Sequence, residues 1–195
     1  MRILQIGCGG VGSFFIQELA ECIEQELIDL FNMHITIADQ DIVELNQIKY
    51  QNFTLEEVGM NKADALAKRF SKYGTEAFQK RIDVEKQLRG YDIIILCVDN
   101  EKTRHMVIQY CHKHDAEFID LRATGRRFFA MPKTTLKDNL RFVDINDAKE
   151  YSCQEKRDLQ KGHIQKCNKI AALVGIQMLL NLMRGNSNKT ISLAI

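Results

Sequence analysis

The stretch MRILQIGCGGVGS, residues 1–13, is a short apolar run followed by a cluster of four glycines. The apolar run predicts a β-strand, and the helical spacing of apolar residues after Ser13 predicts a helix that extends to about Phe31. Glycine tolerates positive φ angles and lets the backbone approach a ligand closely. The free N–H groups at the start of a helix, together with the helix dipole, favour an anion. The segment therefore predicts a strand–turn–helix unit whose turn binds phosphate.

Composition and charge limit the class of protein. We treat the 195 residues as one domain, since this length allows a sizeable core, and 45% of the residues are hydrophobic and 27% charged. The net charge of +1 gives no electrostatic reason to expect nucleic acid or an anionic membrane as partner. No run of eighteen apolar residues predicts a membrane span, and the strand predicted from Arg2 leaves no room for a signal peptide. We expect a cytoplasmic protein.

Six cysteines are present, and no two of them form a Cys-x-x-Cys pair. We therefore expect neither a structural zinc site nor disulfide bonds.

Further apolar runs predict the remaining strands, and the run Asp92–Val98 is continuous enough for a parallel strand buried on both faces. Strands are predicted over 34–38, 75–82, 92–98, 117–121, 126–131 and 190–195, with helices over 63–70, 101–114 and a closing helix over 164–184. Residues 133–163 form a long polar loop in which no regular element is predicted. The alternation of strands and helices predicts an α/β fold with a mostly parallel, doubly wound sheet flanked by helices, and antiparallel strands toward the C-terminus.

Acidic residues follow two of the predicted strands. Asp39 and Asp41 follow the second strand, where a nucleotide-binding fold places the carboxylate that holds the ribose. The alternative is that they are turn or cap residues. Asp99 follows the strand 92–98, at the edge of the sheet where ligands bind, although it could instead cap the helix that begins at Glu101. Lys62 could neutralise phosphate charge or be an ordinary solvated lysine.

Five motifs occur in an order that resembles the ThiF/MoeB/HesA family, which is related to the ubiquitin-activating enzymes. They are the glycine loop GCGGVGS, Asp39–Gln40–Asp41, the following VEL…QNF, VGMNK at 58–62, and VDNEKTR at 98–104. The resemblance covers roughly residues 1–125 and implies a Rossmann-like sheet. It also implies that ATP adenylates the C-terminal carboxylate of a ubiquitin-like or sulfur-carrier protein, or of a peptide, with release of pyrophosphate.

The resemblance also implies roles for individual residues. Asp39 would hold the ribose, Lys62 would meet the phosphates, Asp99 would bind Mg²⁺, and Arg104 would support the site. The nucleotide phosphates would be lined by Gly7, Gly9, Gly10 and Gly12. Because family members are typically dimers, a homodimer or heterodimer is expected.

The chain departs from the family pattern after the second strand. An ungapped count from Val43 places Gln47 and Tyr50 where the family has an Asn and an Arg that touch the nucleotide. Tyr50 cannot supply the charge of an arginine, although the neighbouring Lys49 could if the loop is rearranged. The usual pair of zinc-binding Cys-x-x-Cys motifs is also missing.

Cys153 lies where some relatives carry a cysteine that transfers a thioester or persulfide. Lys156, Arg157 and His163 could favour its thiolate, and the alternative is an incidental loop cysteine.

Three functions remain open at this point. The first is the ATP-dependent adenylyltransferase, and the second is a catalytically weakened nucleotide-binding subunit or scaffold of a heteromeric activating complex, which Tyr50 favours. The third is an NAD-dependent oxidoreductase, because the glycine loop and Asp39 would also fit a dinucleotide fold. The oxidoreductase hypothesis leaves Lys62 and Asp99 without a role.

Overall fold

The computed structural model describes residues 1–31, 33–145 and 154–194. It contains one seven-stranded sheet with the order β3-β2-β1-β4-β5-β6-β7. The strands are β1 (Arg2–Ile6), β2 (His34–Ala38), β3 (Thr75–Phe78), β4 (Ile93–Leu96), β5 (Glu117–Thr124), β6 (Arg127–Pro132) and β7 (Ile191–Ala194). Strands β1 to β5 are parallel, whereas β6 and β7 are antiparallel to their neighbours. This confirms the predicted α/β class and the antiparallel C-terminal strands.

The strand order reverses at β1. The chain first adds β2 and β3 on one side of β1 and then crosses to add β4 on the other side, so that Ile6 pairs with both Ala38 and Leu96. The segments that leave β1 and β4 therefore depart in opposite directions, and a crevice opens between them at the carboxyl ends of the strands. The glycine cluster begins at the residue after Ile6 and so lies at this crevice.

The part of the chain that the structure describes contains six α-helices. They are α1 (Gly10–Glu24), α2 (Lys62–Arg69), α3 (Glu101–His114), α4 (Leu136–Leu140), α5 (Lys156–Gln160) and α6 (Cys167–Met183). Side chains of α1, α2 and α6 pack on one face of the sheet, and those of α3 pack on the other. Successive strand residues point to opposite faces, so Ile95 joins the first core and Ile94 the second. This two-sided burial explains the continuous apolar character of β4.

Four predicted boundaries are wrong, and one of them is the end of β5, which lies at Thr124 and not at residue 121. Helix α1 ends at Glu24 and not near Phe31, because Glu26 adopts φ of 57° and the chain leaves the helix, with Phe31 exposed. Strand β3 ends at Phe78 and not at residue 82, and α6 begins at Cys167, three residues later than predicted. Apolar spacing could not locate these ends, since they depend on which side chains the rest of the fold covers.

The polar segment 133–163 contains regular structure where none was predicted. Helix α4 begins after Thr135, whose side-chain oxygen accepts a hydrogen bond from the backbone N–H of Asp138 at 3.1 Å. Helix α5 follows the undescribed residues 146–153. Both helices have only five residues, too few for a hydrophobic period to be recognised. None of the described helices has the length and apolar character of a membrane span.

Candidate functional site

A cavity of about 680 Å³ lies over the carboxyl ends of the parallel strands. The predicted site residues that line it are Gly7, Gly9, Gly10, Asp39, Asp41, Gln47, Tyr50, Lys62, Asp99 and Arg104. Two predicted site residues, Gly12 and Lys49, do not line it. Lys49 instead lines a separate surface depression with its neighbours in the segment 44–49. Cys153 lies outside the described residues.

The glycine loop presents an uncapped helix start to the cavity. Gly9 is the N-cap of α1, no side chain caps the helix, and its first turn contains no acidic residue. Gly7 has φ of +94°, and a Cβ atom there would lie 2.5 Å from the carbonyl oxygen of Cys97. The N–H groups at the start of α1 are thus available to an anion in the cavity.

Gly12 has a packing role within this loop. A Cβ atom on Gly12 would overlap the carbonyl oxygen of Gly7, so only glycine lets α1 pack this closely on the strand end. The same contact involves Gln5, which is 1% exposed and donates from Nε2 to the carbonyl oxygens of Gly7 at 3.2 Å and Gly12 at 3.0 Å. Sequence reasoning missed Gln5, although a polar residue within a buried strand was a usable signal.

Asp39 is tied to the glycine loop. Its Oδ2 accepts a hydrogen bond from the backbone N–H of Cys8 at 2.6 Å, and its Oδ1 accepts one from Asp41 N–H at 2.8 Å. Burial raises the pKa of the Asp39 carboxyl, outweighing these two hydrogen bonds, which lower it. The Asp39 carboxylate therefore stabilises a turn, which was the alternative to ribose binding in the sequence analysis. It also lines the cavity. Its remaining lone pairs can accept hydrogen bonds from ligand hydroxyl groups.

Lys62 is a buried cation at the wall of the cavity. It is the first residue of α2, is 4% exposed, and lines the cavity, so it is not a solvated surface lysine. Its Nζ lies 3.7 Å from Oδ2 of Asp41, a largely exposed carboxylate. An ion pair at this distance offsets little of the free energy that burial of the ammonium group costs. An anionic ligand in the cavity would offset more of it.

Asp99 follows β4 at the mouth of the crevice, exposed to solvent. The N-cap of α3 is Asn100, whose Oδ1 accepts a hydrogen bond from Thr103 N–H at 3.0 Å, so Asp99 is not the cap. In the described part of the chain, no group of three or more His, Cys, Asp or Glu side chains is placed to hold a metal ion. A magnesium ion bound to one or two carboxylates and to nucleotide phosphates does not require such a group. The Asp99 carboxylate fits that role.

Arg104 belongs to a buried cluster of two carboxylates and two guanidinium groups, formed with Glu101, Asp120 and Arg122. Arg104 Nε lies 2.9 Å from Asp120 Oδ1, and its Nη1 pairs with Oε1 of Glu101. Arg122 donates to Asp120 Oδ2 from Nε at 2.9 Å and from Nη2 at 2.7 Å. We call these four residues the charge cluster.

The charge cluster holds the turn that carries Asp99. Arg104 Nη2 donates to the carbonyl oxygen of Val98, the residue before Asp99. Burial raises the pKa of Asp120, but the two arginines outweigh it and lower the pKa overall. Burial likewise lowers the pKa of Arg104, and its carboxylate neighbours raise it overall. Arg104 therefore supports the site. Sequence reasoning missed its three partners, although an aspartate within the apolar strand EFIDLRAT was a signal.

Two glutamine side chains line the half of the cavity that contains the glycine loop. Gln47 and Gln51 both line it, and their Oε1 atoms have no hydrogen-bond partner among the described residues. Gln51 was missed from sequence. Tyr50, between them, is held through its carbonyl oxygen, which accepts a hydrogen bond from Asn168 Nδ2 at 3.1 Å.

The cavity continues beyond the charge cluster over β5, β6 and β7. This second half is lined by Ala123, Thr124, Arg127, Phe129, Phe142 and Ser192, among others. The Phe129 and Phe142 rings lie 5.1 Å apart, and the Arg122 guanidinium lies 5.2 Å from the Phe129 ring centre. We call this region the β5–β7 half.

Comparison with known proteins identifies the family, because the sequence model of the ThiF family matches residues 1–191 of the chain. The chain belongs to the ThiF family. It is 30% identical over 133 residues to a tRNA threonylcarbamoyladenosine dehydratase of Haemophilus influenzae, covering 64% of this ThiF-family chain and 48% of that relative. It is 27% identical to the ATP-dependent ubiquitin transferase-like protein Cap2 of Enterobacter hormaechei, covering 69% of the chain and 23% of the relative.

Solved structures agree with this ThiF-family fold. The chain superposes on E. coli MccB with ATP at a TM-score of 0.70 and 18% identity, covering 100% of this chain and 60% of MccB. The TM-score is 0.74, also at 18% identity, for MccB with MccA-N7isoASN, of which 61% is covered. It is 0.70 at 16% identity for PaaA, with 100% and 64% of the two chains covered. At identities of 16–18%, this structural similarity shows only that the chain shares the fold of these proteins.

Proposed function

We propose that this chain is an ATP-dependent adenylyltransferase that activates the C-terminal carboxylate of a ubiquitin-like or sulfur-carrier protein, or of a peptide, and releases pyrophosphate. One observation carries the proposal. A single cavity contains the uncapped start of α1, the buried cation Lys62 and the carboxylate of Asp39. The first two features favour binding of phosphates, and the third can accept hydrogen bonds from a ribose.

In the reaction, a carboxylate oxygen of the substrate attacks the α-phosphorus of ATP. The new bond joins the carboxylate oxygen to the α-phosphorus and gives an acyl adenylate, a mixed anhydride. The bond from the α-phosphorus to the oxygen that bridges it to the β-phosphate breaks, and pyrophosphate leaves with that electron pair. The N–H groups of α1 and Lys62 stabilise negative charge on the phosphates, and the charge cluster keeps the Asp99 turn in position. Asp99 would hold Mg²⁺, which supplies charge neutralisation at the phosphates.

Two relatives support a protein or peptide substrate, whereas the tRNA threonylcarbamoyladenosine dehydratase supports tRNA as the alternative. Solved structures of MccB contain ATP and, separately, a form of MccA, and Cap2 is described as ubiquitin transferase-like. We favour a protein or peptide over a nucleic acid, because the net charge of +1 gives no electrostatic reason to expect a nucleic acid as substrate. We further propose a cytoplasmic dimer, either homodimeric or heterodimeric, and retain Cys153 as a candidate for later acyl or sulfur transfer.

The test has two stages. Isothermal titration calorimetry with ATP and Mg²⁺ comes first, with NAD as the competing ligand, and we expect ATP to bind and NAD to bind far more weakly. ATP–pyrophosphate exchange is then measured with carrier-protein tails, peptides and tRNA as separate substrates, and with the Asp99→Ala variant. Absence of ATP binding would refute the proposed function, and tighter binding of NAD would favour an oxidoreductase.

A catalytically weakened subunit of a heteromeric complex is the second candidate, and Tyr50 favours it. Tyr50 lines the cavity at the position where the family pattern has an arginine, and Lys49 lies outside the cavity and does not replace that charge. Exchange activity that emerges only when a second chain from the same cell is added would favour this candidate.

A further inference from the structure

The β5–β7 half of the cavity combines exposed aromatic surface with a cation. Phe142 is 40% exposed although it packs against Phe129, and both rings line the cavity. Arg127 lines the same region and is exposed to solvent. Exposed aromatic rings inside a cavity are a common feature of ligand sites, since they offer a large apolar contact area at little entropic cost.

The aromatic pair is held in place by the charge cluster. Arg122 Nη1 donates to the carbonyl oxygen of Phe142 at 2.9 Å, and the same guanidinium lies over the Phe129 ring. Asp120 in turn fixes Arg122 through two hydrogen bonds. Arg122 therefore positions both aromatic residues, and its partner Asp120 is linked to the Asp99 turn through Arg104. This arrangement fixes the position of the aromatic surface relative to the half of the cavity that contains the glycine loop.

We propose that the β5–β7 half binds the C-terminal segment of the substrate, and that this segment carries a large apolar side chain close to the activated carboxylate. The apolar side chain would lie against Phe129 and Phe142, and Arg127 would attract the negative charge of the segment. The inference rests on the proposed function, and it favours a peptide with a bulky penultimate residue over a carrier tail that ends in two glycines. A Gly-Gly tail has no side chain with which to cover the exposed rings.

The probes are two fluorescein-labelled octapeptides of otherwise identical sequence, one ending in Phe-Gly and the other in Gly-Gly. Fluorescence anisotropy measures their binding to the protein, with and without a non-hydrolysable ATP analogue and Mg²⁺. We expect the Phe-Gly peptide to bind about tenfold more tightly, as burial of one aromatic side chain predicts. Phe142→Ala should abolish that preference, and Phe31→Ala is the matched control, because Phe31 is 81% exposed and lies outside the cavity.

Equal affinities for the two peptides, or no binding of either at millimolar concentration, would overturn the inference. So would a preference that Phe142→Ala leaves intact. These outcomes are separable from failure of the proposed function. A protein that binds ATP and supports exchange with a Gly-Gly tail, but shows no preference for Phe-Gly, contradicts only this inference. A protein that prefers Phe-Gly but does not bind ATP contradicts only the proposed function.

Discussion

The backbone N–H of Cys8 donates a hydrogen bond of 2.6 Å to Oδ2 of Asp39, which joins the glycine loop to the end of β2. Asp39, which the sequence predicts to be a ribose ligand, is therefore also part of the glycine turn for which the sequence predicts phosphate binding. Because Asp39 is partly buried, keeping its carboxylate ionised costs free energy, which the backbone N–H groups of Cys8 and Asp41 reduce but do not fully offset.

We expect Asp39→Asn to reduce ATP affinity about tenfold to a hundredfold, because an amide oxygen replaces only one of two carboxylate acceptors. The measurement is calorimetry with ATP and Mg²⁺. Since burial raises the pKa of Asp39, its carboxylate is protonated at a higher pH than an ordinary aspartate. ATP affinity of the unaltered protein should therefore fall as the pH is lowered through that raised pKa, and the Asn variant should lack this dependence.

Asp29→Asn is the matched control, since Asp29 Oδ1 accepts a hydrogen bond of 2.8 Å from Phe31 N–H in the same local geometry, away from the cavity. Equal losses in the two variants would show that Asp39 does not contact the nucleotide.

The two glycines Gly9 and Gly12 should respond differently to alanine. Gly12→Ala should lower the free energy of unfolding by about 3 kcal/mol, because its Cβ would overlap the carbonyl oxygen of Gly7. Gly9→Ala should change stability by about 1 kcal/mol or less, since the nearest atom to its Cβ is Gln51 Nε2 at 3.9 Å, but it should weaken ATP binding. Urea unfolding and calorimetry measure the two effects. Unchanged ATP affinity in Gly9→Ala would place the phosphates elsewhere.

Lys62→Met should weaken ATP binding about tenfold or more while the protein stays folded, because the apolar stem is retained and a buried charge is removed. Lys49→Met is its control, as Lys49 is exposed and lies outside the cavity. We expect the control to leave the dissociation constant of ATP within about twofold of its original value. A larger loss in the Lys49 variant would mean that the segment 44–49 rearranges around the nucleotide.

Tyr50→Arg tests whether the missing family arginine limits the reaction. A cation at this position of the cavity would stabilise the phosphates, so we expect ATP affinity and the pyrophosphate-exchange rate to rise about threefold or more. Tyr50→Phe separates the added charge from loss of the phenol and should resemble the original protein. A decrease in the Arg variant alone would indicate that the tyrosine itself contributes to binding.

Asp120→Asn should lower the free energy of unfolding at pH 7 by about 3–5 kcal/mol, because Arg104 and Arg122 would lose a buried counter-charge. Glu24→Gln removes an exposed ion pair with Lys72 and should have a much smaller effect. Urea unfolding measures both variants.

The difference in unfolding free energy between the original protein and Asp120→Asn should also depend on pH. The folded-state pKa of Asp120 is lowered, so its stabilising contribution is present above the ordinary aspartate range and is lost as the pH falls through the lowered pKa. The stability difference between the original protein and Asp120→Asn should therefore narrow below about pH 4. A difference that stays constant between pH 7 and pH 3 would contradict this electrostatic account.

Much of the fold was predictable because it is encoded locally. The apolar run of β1, the glycines after it and the helical spacing of α1 lie within 24 residues, and each follows from short-range sterics and periodicity. The start of α1 was therefore predictable, but its end at Glu24 was not, since that end depends on a left-handed residue and on which side chains the sheet covers. Helices α4 and α5 were missed because five residues contain little periodic information.

The sequence by itself determined that a glycine turn follows β1 and that acidic residues follow β2 and β4, since both depend on residue type and order along one segment. Only the tertiary structure decided which lysine faces the cavity, that Asn100 and not Asp99 caps α3, and that Arg104 shares a buried cluster with Asp120 and Arg122. The reason is that strand order and helix packing bring these side chains together from distant parts of the chain. No local pattern records that order.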